Sequence, residues 1–114
     1  MVPLPANSII QLPFDDAIEI LGEIETILIS LHKIGSHYPE AGRDYERETT
    51  RYIDEWRVTR RLAHARRILS EKFDTTLGND DMDDIERALE GSPYWSSPAS
   101  EPVVPEYASR DDEE

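Results

Sequence analysis

The chain has 114 residues, 38% of them hydrophobic and 32% charged, with no cysteine and a formal net charge of -13. One small domain is the ceiling at this length, and core material is lean enough that self-association or a bound partner becomes an expected source of buried area. The missing cysteines exclude a disulfide framework, a thiolate metal site and a cysteine nucleophile, which suits a reducing cytoplasm.

Residues 1–13 (MVPLPANSIIQLP) hold no Lys or Arg, are broken by Pro5 and Pro13, and run straight into acid. They do not read as a secretory signal; the expectation is an extended N-terminal arm. From Phe14 a helix is predicted, because Ala17, Ile20, Ile24, Ile27, Leu31, Ile34 and Tyr38 alternate spacings of three and four. Phe14, Leu21 and Leu28 add a second row beside it, and a face that broad fits more than one neighbouring helix. Glu19, Glu23, Glu25, His32 and Lys33 interrupt the apolar stretch, so it makes a soluble amphipathic helix, and no membrane span is expected.

Gly35, Pro39 and Gly42 in GSHYPEAG predict a chain reversal. A second helix is then expected from Arg43 to Phe73, about 45 Å long if unbroken, since no Gly or Pro interrupts it. Its candidate core residues are Tyr45, Tyr52, Ile53, Trp56, Leu62, Ala63, Ile68, Leu69 and Phe73. After a turn at DTTLG, a short third helix is predicted from Asp81 to Glu90, capped by Asn79 or Asp80 and closed by Gly91. Tyr94 and Trp95 are expected to clamp it. The boundaries are thus an arm at 1–13, a helical domain at 14–95 and a disordered acidic tail at 96–114, rich in Ser, Pro and acid.

Charge is segregated along the chain. Five arginines, Arg57, Arg60, Arg61, Arg66 and Arg67, lie with His64 in a segment without a carboxylate. On one helix Arg57, Arg60, Arg61, His64 and Arg67 would form a continuous stripe, with Arg66 off it. Such a stripe can be solvated surface, can bind carboxylates, or can clamp phosphates. From Asp74 onward there are thirteen carboxylates against Arg87 and Arg110, so the third helix is expected to pack its Asp81, Asp84 or Glu86 beside the stripe. Asp80, Asp81, Asp83 and Asp84 lack the alternating ligands, central Gly and terminal Glu of a calcium loop, and no metal or cofactor is expected.

Catalytic signatures are sparse. No Gly-rich elbow surrounds a serine, no phosphate-cradling loop is present, and His32 and His37 do not share a helical face. The segment RVTRRLAH, from Arg57 to His64, resembles the Arg-x(4-6)-His motif of the HEPN ribonucleases. That resemblance implies a small all-helical protein whose Arg57 and His64 act on RNA phosphates at a dimer interface, with Val58 standing where that family has a polar residue. Tyr38, Pro39, Gly42, Asp44, Trp56 and Arg57 are similar to a Tyr-Pro, acidic loop and Trp-Arg pattern of the immunity proteins of colicin-type nucleases. This second resemblance implies an acidic helical protein that neutralises a basic partner.

The expected fold is all-α: a long antiparallel helical hairpin with a short third helix, completed into a four-helix bundle by homodimerisation. The expected function is non-enzymatic protein binding of the inhibitor, immunity or antitoxin type. Partner-contact candidates are Arg57, Arg60, Arg61, His64 and Arg67, the acids Asp80, Asp81, Asp83 and Asp84, and the aromatics Tyr94 and Trp95. The alternatives are a nucleic-acid-binding helical protein using the arginines on phosphates, which the net charge opposes, and the HEPN-like ribonuclease.

Overall fold

A computed structural model of the chain describes residues 2–98, so most of the tail expected at 96–114 lies outside the described residues. A 3-10 turn at Pro5–Asn7 is followed by α1 (Phe14–His37), α2 (Arg43–Glu55), α3 (Val58–Ser70) and α4 (Asp84–Leu89). The fold is all-α, without a strand among the described residues, and α1 packs against α3 to form a helical hairpin. No described helix is long and apolar enough to cross a membrane.

α1 begins where the sequence predicts and runs on through Gly35 to His37. Pro13 precedes it, Asp15 and Asp16 occupy its first turn, and the Tyr38 N–H closes its end on the Ile34 carbonyl. Negative charge at the N-terminus suits the helix dipole.

The single helix expected from Arg43 to Phe73 is two helices, because the chain breaks at Trp56 and Arg57. Arg57 takes a left-handed conformation, φ 50° and ψ 52°, and α3 starts anew at Val58. The cause is a phase change in the apolar pattern. Tyr52 and Val58, six residues apart, point about 120° apart on a straight helix, at 100° per residue. Both are buried with Ile27 in one cluster, against which Ile34 also packs, and the break turns them to the same side. Behind it, Val58, Arg61, Ala65, Ile68 and Lys72 form the inward row of α3 and the turn that follows it. Of the core candidates, Ile53, Trp56, Leu62, Ala63 and Leu69 remain exposed.

α1 also presents a different face from the one expected. Its inward row is Asp16, Ile20, Glu23, Ile27 and Ile34, so the helix is rotated towards its polar edge, while Ile24 and Leu31 stay exposed. The core is correspondingly small: Ile27, Tyr52, Val58 and Ala65 are its buried apolar residues.

The arm is not simply extended. Asn7 is buried, and its side chain bridges the chain like a strand pairing: Oδ1 accepts from the Asp74 N–H at 2.7 Å and Nδ2 donates to the Asp74 carbonyl at 2.9 Å. Nδ2 also donates to Asp84 at 2.8 Å, and the Leu4 N–H donates to the same carboxylate at 2.7 Å. α4 is shorter than the expected Asp81–Glu90 helix and is capped by Asp83, not by Asn79 or Asp80. The Asp83 side chain accepts from the Glu86 N–H, and the Glu86 side chain accepts from the Asp83 N–H, a reciprocal capping box. Asp81 sits instead in the preceding turn with φ 62°, where the Gly78 N–H reaches the Met82 carbonyl. A capping carboxylate three and four residues beyond the earlier candidates outcompetes them.

Candidate functional site

Arg57, Arg60, Arg61, His64 and Arg67 line one open cleft of about 850 Å³, together with Glu23, Glu55, Trp56 and Ala63. It occupies the elbow where α2 gives way to α3, with α1 as its floor. The left-handed residue makes the elbow, and the three-four spacing beyond it carries the basic side chains along the same side of α3. Arg66 lines other grooves, beside Asp83 and Glu86 of the α4 region.

The basic residues divide into two layers. Arg61 and His64 are half-buried and turned to α1. The Arg61 guanidinium binds Glu23 at 2.8 Å and donates to the Trp56 carbonyl at 3.0 Å, closing the orphan end of α2. His64 Nε2 meets Glu19, and its Nδ1 lies 3.3 Å from the Arg67 guanidinium. One tautomer satisfies both contacts, with Nε2–H donating to Glu19 and Nδ1 accepting from Arg67. Lys72 with Asp16 at 2.6 Å extends the series, so the α1–α3 seam carries two ion pairs, Asp16–Lys72 and Glu23–Arg61, with the Glu19–His64 hydrogen bond between them. Arg57, Arg60 and Arg67 are the outer layer and are exposed, with half-exposed Trp56 at the rim.

The carboxylates that meet Arg61 and His64 thus come from α1. The expectation that the acidic third helix packs beside the stripe is overturned by where its carboxylates go. Asp80 binds Arg87 through both oxygens at 2.8 Å, and Asp84 binds Arg87 at 2.9 Å besides holding the arm. Arg87 holds the Asp80 carboxyl far below the usual carboxylate range, chiefly through hydrogen bonding. Asp84 is lowered too, first by the Asn7 amide, then by the Leu4 N–H, against the opposing effect of burial. Arg87, within reach of both, outcompetes the distant arginines.

Of the remaining candidates, Asp81 and Asp83 stand in the α4 turn. Tyr94 and Trp95 are 74% and 76% exposed, so they do not clamp α4. Trp56, Glu19 and Glu23 belong to the site although the sequence reading gives them other parts, Trp56 as a core candidate and Glu19 and Glu23 as breaks in the apolar stretch of α1. The signal for the two acids was available: Asp16, Glu19 and Glu23 recur at spacings of three and four, as the apolar residues do. Among the described residues no group of His or carboxylates is arranged to hold a metal ion.

No known protein family matches this chain, and neither curated proteins nor solved structures provide a match. Function is therefore argued from the cleft.

Proposed function

We propose that this chain is a small acidic, non-enzymatic protein-binding module of the inhibitor, immunity or antitoxin type, and that its elbow cleft receives a carboxylate-rich segment of a protein partner. The observation that carries this reading is the outer layer: Arg57, Arg60 and Arg67 are exposed on one cleft beside Trp56. Guanidiniums bind carboxylates in a two-pronged geometry, and an aromatic at the rim supplies desolvated contact area. The net charge of -13 selects for a compact acidic segment. Screening confines the local positive field to about 8 Å at physiological ionic strength, so a short segment feels the arginines, while a long polyanion also meets the acidic remainder. Asp81 is available to a basic part of the same partner, and Asp83 through the oxygen that does not cap α4. Asp80 and Asp84 are already committed to Arg87. Tyr94 and Trp95 offer aromatic anchors, and two copies of the chain form the working unit.

The second reading, phosphate binding with or without ribonuclease activity, draws on one observation: Arg57 and His64, the two residues of the HEPN-like motif, line the same cleft.

Binding of a glutamate-rich peptide, followed by calorimetry, tests the proposal beside a single-stranded RNA oligonucleotide. Peptide binding is expected, and Arg57→Glu, Arg60→Glu and Arg67→Glu together should weaken it at least about tenfold. RNA binding with a steep salt dependence and no peptide binding would favour the second reading. RNA cleavage abolished by His64→Ala would make the chain an enzyme.

A further inference from the structure

The rotation of α1 towards its polar edge leaves an apolar row outside. Phe14, Leu21, Leu28 and Gly35 recur at one heptad position, and Ala17, Ile24, Leu31 and Tyr38 recur three residues after them. This is the seam of a helix that packs on another helix. Within one copy of the chain it is largely bare: Phe14 is 76% exposed, Leu21 51%, Ile24 44%, Leu28 59% and Leu31 39%. No charged residue occupies any of its positions, and from Phe14 to Gly35 it runs about 32 Å.

We infer that a second copy of this chain docks on that row, α1 against α1 in antiparallel order. Four observations select this occupant. The row is self-complementary. The register that overlaps the whole of α1 sets Leu21 of one copy beside Leu31 of the other, Ile24 beside Leu28, and Ala17 beside Gly35, with the two-fold axis near Thr26. Gly35 has nothing within 4 Å of where a side chain would begin, so no packing inside this chain requires a glycine there. A close approach by a second helix would use that space, which Gly22, off the row, also leaves open. Charge favours the antiparallel order through the helix poles and not through side chains, since Asp16 and Glu19 are taken up by Lys72 and His64 of the same chain. Side by side in opposite directions, unlike helix poles meet.

The area also fits. The exposed row offers on the order of 500 Å² per copy, about 1,000 Å² for the pair, which reaches the lower bound of a specific interface. A chain whose buried core consists of Ile27, Tyr52, Val58 and Ala65 gains most from covering it. The result is a bundle with two α1 helices at its centre and an α3 helix outside each. The α1 residue in the cleft, Glu23, belongs to the inward row, so the docking goes beyond the cleft reading and leaves both clefts open.

One residue opposes the pairing and makes it testable. Glu25 flanks the row next to the axis, where the antiparallel order brings it near its own copy, and like charges there weaken association. Sedimentation equilibrium of the full chain should give a dimer within about 1 to 100 μM. Leu21→Glu with Leu28→Glu should weaken it by roughly a hundredfold or more, while Glu25→Gln should tighten it a few-fold. Circular dichroism of the double variant reports whether its helices persist. If they are lost, Glu25→Gln decides alone. A wild-type mass of 13.1 kDa throughout, a dimer that survives the double substitution, or an association unchanged or weakened by Glu25→Gln overturns the inference. Failure of peptide binding in the cleft leaves it standing.

Discussion

Asn7 and Asp84 hold together segments that are far apart in sequence, and both are nearly inaccessible to water. Removing the Asn7 side chain leaves the Asp74 N–H and carbonyl without their side-chain partner and takes from the Asp84 carboxylate one of its bonds, those from Leu4 and Arg87 remaining. Asn7→Ala should therefore cost about 1–3 kcal/mol in urea denaturation. The arm should also become susceptible to proteases, which cut loosened backbone first. The same cluster sets a pH dependence. Asp84 and Asp80 are lowered by the hydrogen bonds described above, and Asp74 is lowered first by the Thr76 hydroxyl and then by the Thr76 N–H. A carboxyl whose folded value lies below its unfolded value of about 3.9 contributes its full stabilisation above that pH. The contribution disappears as pH falls through the folded values. Melting temperatures measured from pH 7 down to pH 2 should fall below about pH 4, and Asp84→Asn should flatten that fall. An unchanged acid limb in the variant would remove Asp84 from the account.

At the scale of elements, the joint between α2 and α3 is the consequential feature. A left-handed conformation costs a residue with a side chain about 1–2 kcal/mol, and glycine escapes that cost while losing more backbone freedom on folding. Arg57→Gly should thus be neutral to stabilising by up to about 1 kcal/mol, and Arg57→Val destabilising by at least about 1 kcal/mol, in chemical denaturation. A marked loss in the glycine variant would mean that the arginine side chain, not the backbone geometry, holds the elbow. The joint was partly legible in the sequence. Tyr45 and Tyr52 continue in phase to Trp56, whereas Val58, Ala65 and Ile68 fall on another phase, and only an interruption reconciles the two. Absence of Gly and Pro hid it, since Arg57 is not a residue expected at positive φ. α4 taught a similar lesson. Any of several Asn or Asp side chains could cap it, and the reciprocal bond with Glu86 selects Asp83.

For the whole molecule, the cleft with Arg57, Arg60 and Arg67, proposed for a partner, and the outer row of α1, proposed for a second copy, share no residue, so the two proposals can be tested separately. Reversing the cleft charges should leave the sedimentation mass unchanged, and Leu21→Glu with Leu28→Glu should leave the affinity of one cleft for a monovalent peptide unchanged. A tethered pair of peptides should bind the dimer more tightly than a single one, by roughly a hundredfold when the tether matches the distance between the clefts. Loss of both properties in one variant would show that the two surfaces are one.

The sequence by itself determined the all-helical class, the start of α1, a reversal before Arg43, which the structure confines to residues 38–42 because α1 runs on through Gly35 to His37, and the grouping of Arg57, Arg60, Arg61, His64 and Arg67 on one side. Periodicity and helix-ending residues act locally, and each element carries its own signal. Only the tertiary structure decided which edge of α1 faces inward, which acids meet Arg61 and His64, and that Asn7 ties the arm to Asp84. Those outcomes depend on competition between distant groups. Asp80, Asp84 and Arg87 satisfy one another at close range, which leaves Glu19 and Glu23 to meet the base-rich helix, and the apolar edge of α1 is turned outward as a result.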